Sequence, residues 1–522
     1  MTVISLHQLH FQFSSDKVIF QQLSHSFLPG KHGIVGDNGS GKSVLAALIC
    51  GRYLPDTGTL IGPASPGFLT QQHYSAGITI ADFLGYGECL SALRRVISGH
   101  FSSQDLLLAE DNWLLEEQLT QLLASINITA DPQRELVSLS GGEQTRLMLL
   151  KLFTGDHDWL ILDEPGNHLD LAGRQWLQRE IERYSGNLLL ISHNRDLLEQ
   201  MPQIHELSDG KLMSYGGNYK VYQQQKQEQH SAQLRQLTHQ KEQLRTLRTA
   251  QQNSIERAER RAKSGKKLRD SGSQCLLLLD KMKNSAEMRR SSSLRHADRK
   301  IEQTQTSITD IQQTLQQPKA LSMVIDTHSK KSRFAIQIDK LTMPYGYRGE
   351  ITQTIYPGER YWLQGDNGSG KSTLLKMLVG EITPLFGMVK MHGRVAYFDQ
   401  HQSLLLDSLS VLDNLRSLAP GMTESEYRTQ LANIGFRRES VFKLAGSLSG
   451  GQRVRLALLA ITSGPQSASI LLLDEPDNHL DLQARQMFEQ AIAGYNGTLI
   501  VVSHDRHFID NIGITHNFTL MS

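Results

Sequence analysis

The 522-residue sequence predicts an α/β protein in which two domains of one fold are joined by an α-helical hairpin. Three observations predict this organisation. The octapeptide GDNGSGKS occurs at residues 36–43 and again at 365–372. Further short motifs follow both copies in the same order. Between the copies, residues 221–317 are rich in Gln, Arg and Lys and contain no Pro, which favours long helices.

Each GDNGSGKS copy matches the phosphate-loop pattern G-x-x-x-x-G-K-[ST]. In such a loop, backbone N–H groups and a helix N-terminus hold phosphates, the Lys reaches the terminal phosphates and the hydroxyl holds Mg²⁺. An apolar run precedes each copy and helix-like sequence follows it, so we predict two nucleotide sites. The predicted phosphate-loop residues are Gly36, Asp37, Asn38, Gly39, Ser40, Gly41, Lys42 and Ser43, with Gly365, Asp366, Asn367, Gly368, Ser369, Gly370, Lys371 and Ser372.

Composition excludes several other classes of protein. The net charge is +1, so the whole chain gives no argument for nucleic-acid binding. The three cysteines have no C-x-x-C spacing, which argues against a disulfide framework, a zinc ribbon and iron–sulfur ligation, and suits a reducing cytoplasm. We see no signal-peptide pattern and no apolar run near the ~20 residues that span a bilayer. We therefore expect a soluble, cytoplasmic protein.

The spacing between equivalent motifs locates an insertion. The offset is 329 at the glutamines (400 − 71), 309 at the serines of the two LSGG motifs (449 − 140) and 311 at the Asp-Glu pairs (474 − 163). The first copy therefore carries about 20 extra residues between its glutamine and its LSGG motif. We place this insertion within residues 85–112. The expected domains are residues 1–220, 221–320 and 321–522.

Two acidic pairs follow runs of buried-type apolar residues that fit parallel strands. Asp163 and Asp474 can hold the water shell of Mg²⁺, and Glu164 and Glu475 are placed to polarise an attacking water. A solvated strand end is the alternative for an isolated Asp-Glu pair. The base of a nucleotide needs an aromatic platform, for which Phe13 (or Phe11) and Tyr345 (or Tyr347) are candidates by position, with a core role as the alternative. These assignments predict two catalytic centres.

The motifs in this order resemble the ATP-binding cassette family, of which LSGG[EQ] is the signature. The resemblance implies a parallel sheet with an added helical subdomain, and ATP with Mg²⁺ as ligands. It also implies that Gln71 and Gln400 approach the metal and the attacking water, and that His193 and His504 contact the γ-phosphate. The signature residues would face the phosphate loop of the other copy, joining Lys42 to Ser449 and Lys371 to Ser140. These signature residues are Ser140, Gly141 and Gly142, with Ser449, Gly450 and Gly451.

The segment between the copies predicts an antiparallel helical hairpin. Apolar residues recur at heptad-like steps, and the glycines near the midpoint predict a tip at residues 264–274. Helices of about 45 residues would reach about 65 Å at 1.5 Å per residue. Residues 226–300 hold 19 Lys/Arg and 8 Asp/Glu, a net charge of +11. A solvated coiled-coil surface is one interpretation, and a polyanionic partner fits the concentration of charge beside the tip better. The apolar residues are Leu237, Leu244, Leu247, Ile301, Ile308, Ile311 and Leu315.

Two fused cassettes, a short insertion and a basic helical linker together resemble the ABC-F proteins. This resemblance implies a monomer that closes on itself and binds the ribosome, its linker lying near rRNA and tRNA at the tRNA exit site and its insertion at the ribosomal periphery. ATP hydrolysis would drive release, in translation regulation or antibiotic-target protection. The alternatives are the ATP-binding subunit of a transporter and a DNA-maintenance ATPase. A transporter subunit rarely carries such a linker, and DNA-maintenance relatives would show zinc cysteines or much longer coiled coils.

Overall fold

The computed structural model describes most of the chain, in two compact units. One unit comprises Met1–Lys220 with Lys319–Ser522, and the other is Val221–Pro318. We call residues 3–220 the first repeat and residues 333–520 the second repeat. The described residues are 3–13, 18–69, 77–110, 112–167, 169–270, 276–314, 333–399, 405–448, 450–463, 468–477 and 480–520, of which 258, 261–262, 264–270, 276–291, 293 and 313–314 are described by their backbone alone.

The first repeat contains two sheets. A six-stranded sheet has the order β5-β6-β7-β3-β8-β9 and is parallel except for its antiparallel β8–β9 edge. A three-stranded antiparallel sheet has the order β2-β1-β4. The strands are β1 (Ile4–Gln12), β2 (Val18–Phe27), β3 (Lys31–Val35), β4 (Thr57–Ile61), β5 (Pro66–Leu69), β6 (Trp159–Asp163), β7 (Asn187–Ile191), β8 (Gln203–Ser208) and β9 (Lys211–Gly216).

Helices cover the large sheet and form a separate helical region after β5. Helix α1 packs between the two sheets, where its Leu45 and Ile49 share a buried cluster with Trp159 of β6. Burying such side chains stabilises the fold by about 1.5–3 kcal/mol each. The helices are α1 (Lys42–Ile49), α2 (Ile80–Leu84), α3 (Gly87–Ile97), α4 (Ser103–Ala109), α5 (Leu115–Ser125), α6 (Gly141–Thr154), α7 (Leu171–Arg183) and α8 (Arg195–Glu199).

Three histidines form a hydrogen-bonded chain in the core of the first repeat. His32 Nε2 lies 2.6 Å from the carbonyl oxygen of Leu28 and must donate to it. The neutral His32 ring therefore accepts at Nδ1 from His205 Nε2 at 3.0 Å, and His205 accepts at Nδ1 from His25 Nε2 at 3.1 Å. Burial lowers the pKa of all three, that of His205 to about 3. This cluster is held in one neutral tautomeric arrangement.

The described part of the second unit consists of two long helices, α9 (Tyr219–Asp270), whose first two residues belong to the first unit, and α10 (Leu276–Thr314). Gln251 Nε2 of α9 donates to Asp298 Oδ1 of α10 at 2.6 Å, and both residues lie about 20 positions from residues 271–275, which are not described. The helices therefore run antiparallel. On each helix the half-buried or buried residues recur at alternating intervals of three and four positions, as in a coiled coil. These positions include Leu237, Gln240, Leu244, Leu247 and Gln251, with Ala297, Ile301, Thr304, Ile308 and Ile311.

The position of the predicted hairpin tip needs a correction. Helix α9 continues through Ser264 and Gly265 and ends at Asp270, beyond the start of the predicted tip. A single Gly costs a helix about 1 kcal/mol, which a helix of 52 residues tolerates. Leu315 lies outside the described residues. Within the described part of the chain, no helix combines the length and the hydropathy that crossing a membrane requires.

The second repeat reproduces both sheets of the first. Its parallel sheet has the order β14-β15-β16-β12-β17, and its antiparallel sheet has the order β11-β10-β13. The strands are β10 (Ile336–Thr342), β11 (Ile351–Ile355), β12 (Arg360–Gln364), β13 (Phe386–Met391), β14 (Val395–Phe398), β15 (Ile470–Asp474), β16 (Thr498–Val502) and β17 (His516–Thr519). The helices are α11 (Lys371–Val379), α12 (Val411–Leu418), α13 (Glu424–Asn433), α14 (Gly450–Thr462), α15 (Leu482–Ala493) and α16 (Arg506–Asn511).

The repeats differ at one sheet edge, since β9 has no counterpart among the described strands of the second repeat, and more widely in the helical region. Isolated β-bridges join Thr79 to Glu135 and Ser410 to Leu444 at its two ends. The bridged residues are 56 positions apart in the first repeat (135 − 79) and 34 in the second (444 − 410). Helices α3 and α4 belong to the longer segment of the first repeat, and their buried leucines and alanine share a small core with residues of α2 and α5.

Candidate active sites

The two phosphate loops have the same backbone conformation. Gly41 and Gly370, the residues before helices α1 and α11, have φ of 102° and 94°. A Cβ atom at Gly41 would lie 2.7 Å from Ile19 Cγ2, and one at Gly370 would lie 2.7 Å from Met343 Cε. Glycine is required at both positions because the conformation is left-handed and the space is filled. Each loop thus directs the free N–H groups of a helix start toward one point.

The loop lysines are held against their own loops. Lys42 Nζ donates to the carbonyl oxygens of Gly36 and Asp37 at 2.7 and 3.0 Å. Lys371 Nζ makes the equivalent bonds at 2.8 and 2.9 Å. Burial lowers the pKa of both lysines, and the nearby carboxylates, foremost Glu164 and Glu475, oppose the shift. Each site thus presents one partly desolvated ammonium group beside the helix N-terminus.

The predicted metal ligands are brought together in pairs. Ser43 is hydrogen-bonded to Asp163, and Ser372 is hydrogen-bonded to Asp474. Burial raises the pKa of both aspartates, and Asp163 Oδ1 has no hydrogen-bond partner. An unpartnered buried carboxylate oxygen beside a hydroxyl is a donor set that fits Mg²⁺, which is commonly held by one or two carboxylates and by substrate phosphates. Among the described residues, no group of three or more potential His, Cys, Asp or Glu ligands occurs.

Glu164 and Glu475 share an unusual backbone conformation. Both have φ of 48°, in the left-handed region that non-glycine residues rarely occupy. Their N–H groups donate to Ile191 and Val502 at 2.8 and 2.9 Å, which fixes each peptide at the end of its strand. This strained turn sets the direction in which each carboxylate leaves the sheet.

Each glutamate lies beside the predicted switch histidine of its own repeat. His193 Nε2 is 3.5 Å from Glu164 Oε1, and His504 Nε2 is 3.4 Å from Glu475 Oε1. Burial lowers the pKa of His193 well below its usual value, with the Lys42 charge as the next cause. His193 is therefore neutral at physiological pH.

The two glutamates differ in electrostatics. Burial, then the charge of Asp163, raises the pKa of Glu164 to about 7. Burial also acts on Glu475, but the hydrogen bond to His504 and the charges of His504, Arg174 and Lys371 outweigh it and lower its pKa. The two sites are thus similar in geometry and unequal in charge environment.

Residues of the second repeat complete the first site. Asn38 N–H donates to Asp481 Oδ2 at 3.3 Å, and Arg485 Nη1 donates to the carbonyl oxygen of His193 at 3.2 Å. A cavity of about 370 Å³ joins these elements. Reciprocally, the charge of Asp170 in the first repeat acts on Lys371. The residues lining the cavity include Phe13, Lys42, Ser43, Asp163, Glu164, His193, Leu480 and Arg485.

The remaining predicted residues have different positions. Phe13 lines the cavity and packs edge-on against Phe11 and Tyr53, with distances of 5.2 and 6.0 Å between ring centroids. Tyr345 is 74% exposed, and its carbonyl oxygen lies beside Gly370. Gln71, Gln400 and Ser449 lie outside the described residues.

The signature serine of the first repeat caps its helix. Ser140 precedes α6, and both its N–H and its hydroxyl bond to Glu143 at 2.8 and 2.7 Å. Gly141 and Gly142 open α6, and Gly450 and Gly451 open α14. None of these described signature residues lines the cavity at Lys42. The predicted joining of Lys42 to Ser449 stays a prediction.

Sequence reasoning missed several residues at the first site. Asp481 and Arg485 belong to the second repeat, and their role depends on a contact between repeats that no local pattern encodes. Asp170 and Asp481 each accept a hydrogen bond from the helical N–H three residues later, as a helix cap does. Asp170 and Asp481 are separated by 311 positions, the offset of the Asp-Glu pairs, and this equivalence is the sequence signal that could have identified them.

Fold and sites together define a protein with two phosphate-loop nucleotide sites in a repeated α/β framework. The family model described as ABC transporter matches residues 20–167 and 349–478, which is more than half of the chain. The putative ATP-binding protein YdiF of Bacillus subtilis is 31% identical over 98% of this chain and 79% of its own length. The energy-dependent translational throttle protein EttA of Mycobacterium tuberculosis is 31% identical over 95% of this chain and 87% of its own.

The probable ATP-binding protein YheS of Haemophilus influenzae is 31% identical over 92% of this chain and 73% of its own length. A solved structure of RNase-L inhibitor aligns with a TM-score of 0.51 at 19% identity, over 98% of this chain and 86% of that one, and supports the fold alone. The chain belongs to the ATP-binding cassette family, in its ABC-F group. The predicted fold class, the family resemblance and the prediction of an ATP-hydrolysing enzyme are confirmed.

Proposed function

We propose that this protein is a ribosome-associated ATPase that engages and releases the ribosome as its two repeats close and open. The basic hairpin carries this proposal. Its Lys and Arg side chains are exposed along a long helix, where they are available to contact successive phosphates of a nucleic acid. The relative EttA is named a translational throttle, which supports a partner in translation. The described exposed cations of α9 include Arg235, Lys241, Arg245, Arg248 and Arg257.

Nucleotide binding follows from the loop geometry. The N–H groups at the start of α1 and α11 hold the phosphates, and Lys42 and Lys371 exchange their loop carbonyls for phosphate oxygens. Ser43 with Asp163, and Ser372 with Asp474, would hold Mg²⁺, which when bound neutralises charge on the β- and γ-phosphates. Gln71 and Gln400 would complete this shell. Phe13 and Tyr345 would contact the base.

Hydrolysis depends on the two glutamates. Each accepts a proton from the attacking water. The left-handed backbone at the strand end fixes the direction in which the carboxylate points toward that water. The neutral His193 has one N–H, which donates toward the γ-phosphate while its ring lies beside Glu164, and His504 takes the same place beside Glu475. The helix starts at Ser140, Gly141 and Gly142, and at Ser449, Gly450 and Gly451, would bring further N–H groups to the phosphates of the opposite site on closure.

The partner is proposed to be ribosomal RNA with tRNA near the exit site, contacted by the domain at residues 221–320. The insertion within residues 85–112 would touch the ribosomal periphery. A monomer suffices, because both halves of each composite site belong to one chain. Translation regulation and antibiotic-target protection remain the two roles within this proposal, and growth of a deletion strain with and without ribosome-directed drugs separates them.

Sedimentation through a sucrose gradient tests the proposal. With ATP, the Glu164→Gln, Glu475→Gln double variant is expected to co-migrate with ribosomes, because it closes without hydrolysing. Adding Arg245→Glu and Arg248→Glu on the hairpin should abolish co-migration. Arg179→Glu and Arg183→Glu, an equal change on the exposed face of α7, should not. The proposal fails if the double variant stays at the top of the gradient, or if both charge reversals act alike.

A further inference from the structure

A buried ion pair links the two repeats behind the first site. Arg195 lies two residues after the switch histidine His193 and is 9% exposed. Its Nη2 is 2.9 Å from Oε1 of Glu489, which lies on α15 of the second repeat. Asn511 Nδ2 donates to the other oxygen of Glu489 at 2.9 Å. The second repeat thus contacts the segment that follows the predicted γ-phosphate sensor.

A fourth member of this cluster is Tyr219, the first residue of the long helix α9. The hydroxyl of Tyr219 is hydrogen-bonded to Arg195, and Tyr219 is 3% exposed. Arg195 therefore contacts three elements: the switch segment of the first repeat, α15 of the second repeat, and the first turn of α9. A buried guanidinium that loses its carboxylate partner is costly, so these contacts favour a concerted arrangement.

The equivalent positions of the other side carry no such pair. At the offset of 311, Arg195 corresponds to Arg506 and Glu489 to Gln178. Arg506 is exposed, and Gln178 is neutral. The Asn511–Glu489 bond has its counterpart between Gln200 Nε2 and the carbonyl oxygen of Gln178, at 3.1 Å. One side of the interface between repeats is therefore ionic and buried, and its counterpart is not.

A second contact has the same asymmetry. Arg485 forms an ion pair with Asp505 of its own repeat at 2.6 Å and also donates to the carbonyl oxygen of His193. The equivalent of Asp505 in the first repeat is the neutral Asn194, and the equivalent of Arg485, Arg174, donates instead to the carbonyl oxygen of Leu169 at 3.2 Å. Both ionic contacts therefore converge on the residues that follow Ser192.

We propose that Arg195 is a positioning residue that couples closure of the repeats at the first nucleotide site to the first turns of helix α9. Nucleotide at the first site draws His193 inward, and Arg195 moves with it. Glu489 and Tyr219 follow, because breaking either of their contacts would leave the buried guanidinium without that partner. The second site has no equivalent connection. The proposal rests on ATP binding by the family and not on the ribosomal partner. It can therefore be tested even if the protein is found not to bind the ribosome.

Amide hydrogen exchange with and without a non-hydrolysable ATP analogue measures the coupling. In the parent protein, the analogue is expected to slow exchange at residues 219–226 about fivefold or more, the lower end of ordinary coupling between sites. Glu489→Gln, which installs the amide that the first repeat already carries at residue 178, should remove this slowing. Arg506→Gln, its matched control on the other side, and Arg195→Lys, which keeps the charge, should retain it.

A second variant keeps the test decisive if Glu489→Gln folds poorly. Tyr219→Phe removes one oxygen and should also lose the slowing, while a fluorescent ATP analogue still binds with parental affinity. Retained binding separates a failure of transmission from a failure of nucleotide binding. Slowing that persists in Glu489→Gln or Tyr219→Phe, or that disappears equally in Arg506→Gln, overturns the proposal.

Discussion

Asp196 Oδ1 and His507 Nε2 lie 3.0 Å apart, and the two residues occupy equivalent positions in the two repeats. Their separation along the chain is 311 (507 − 196), the offset of the Asp-Glu pairs. Equivalent residues of two related domains meet face to face only where the axis relating the domains passes between them. This pair therefore marks the pseudo-twofold axis of the protein, with one site on either side.

Exchanging charges at this axis is expected to alter closure modestly. His507→Asp places two carboxylates face to face, and because both positions are about half exposed the penalty should be about 1 kcal/mol or less. The apparent KM for ATP in a steady-state assay should rise a few-fold. Adding Asp196→His exchanges the two side chains across the axis and should restore the parental KM. If the double exchange is as impaired as the single variant, the pair does not contribute in this way.

Loss of either glutamate is expected to remove hydrolysis at its own site. Glu164→Gln and Glu475→Gln keep the shape of the side chain but cannot accept a proton, and a general base typically contributes about 10²- to 10⁴-fold. Each single variant should lower the ATPase rate, and the double variant should abolish it while still binding ATP. Unchanged turnover in Glu475→Gln together with abolished turnover in Glu164→Gln would contradict two competent sites.

The pH dependence of the two sites should differ. A glutamate acts as a base only when deprotonated, so activity falls as the pH drops through its pKa. With the pKa of Glu164 raised to about 7 by burial, kcat/KM of the Glu475→Gln variant should fall below about pH 7. The Glu164→Gln variant works through Glu475, whose pKa is lowered, and should keep its activity to more acidic pH. Superimposable pH profiles would disprove this assignment.

The histidine chain of the first repeat should make the fold acid-sensitive. The folded-state pKa of His205, about 3, lies below the ordinary 6.5, so its contribution to stability is complete above pH 6.5 and is lost as the pH falls toward 3. Each pH unit below 6.5 costs up to about 1.4 kcal/mol per histidine. The melting temperature should therefore fall between pH 7 and pH 5.

His205→Gln isolates this effect. Its amide can replace the ring hydrogen bonds to His25 and His32 but does not titrate, so the variant should lose some stability at pH 7 and show a flatter dependence on pH. His7→Gln on β1, an exposed position, should melt like the parent at both pH values. An equally steep pH dependence in His205→Gln would assign the acid sensitivity to other groups.

Local motifs and spacing predicted much of the fold and of each half-site. The phosphate loops, the acidic pairs and the switch histidines each depend on a few neighbouring residues, so the sequence carries them directly. The contacts of Arg195 with Glu489 and of Arg485 with His193 could not be predicted in this way. Their charged side chains, those of Arg195, Arg485 and Glu489, belong to helices, and the packing of one repeat against the other buries them. The same limit applies to His25, His32 and His205, which come from three separate strands.

The hydrogen bond between Gln251 and Asp298 fixes which residues of the two long helices face each other. Partners sum to about 549 (251 + 298), so residue 244 lies opposite residues 304–305 and residue 237 opposite residues 311–312. Removing seven residues from each helix at matched positions keeps every remaining pair and shortens the hairpin by about 10 Å. Removing seven from one helix alone shifts every pair beyond the deletion. Hairpins of graded length, differing in nothing else, can therefore be made from this one chain to measure which length the proposed ribosome binding requires.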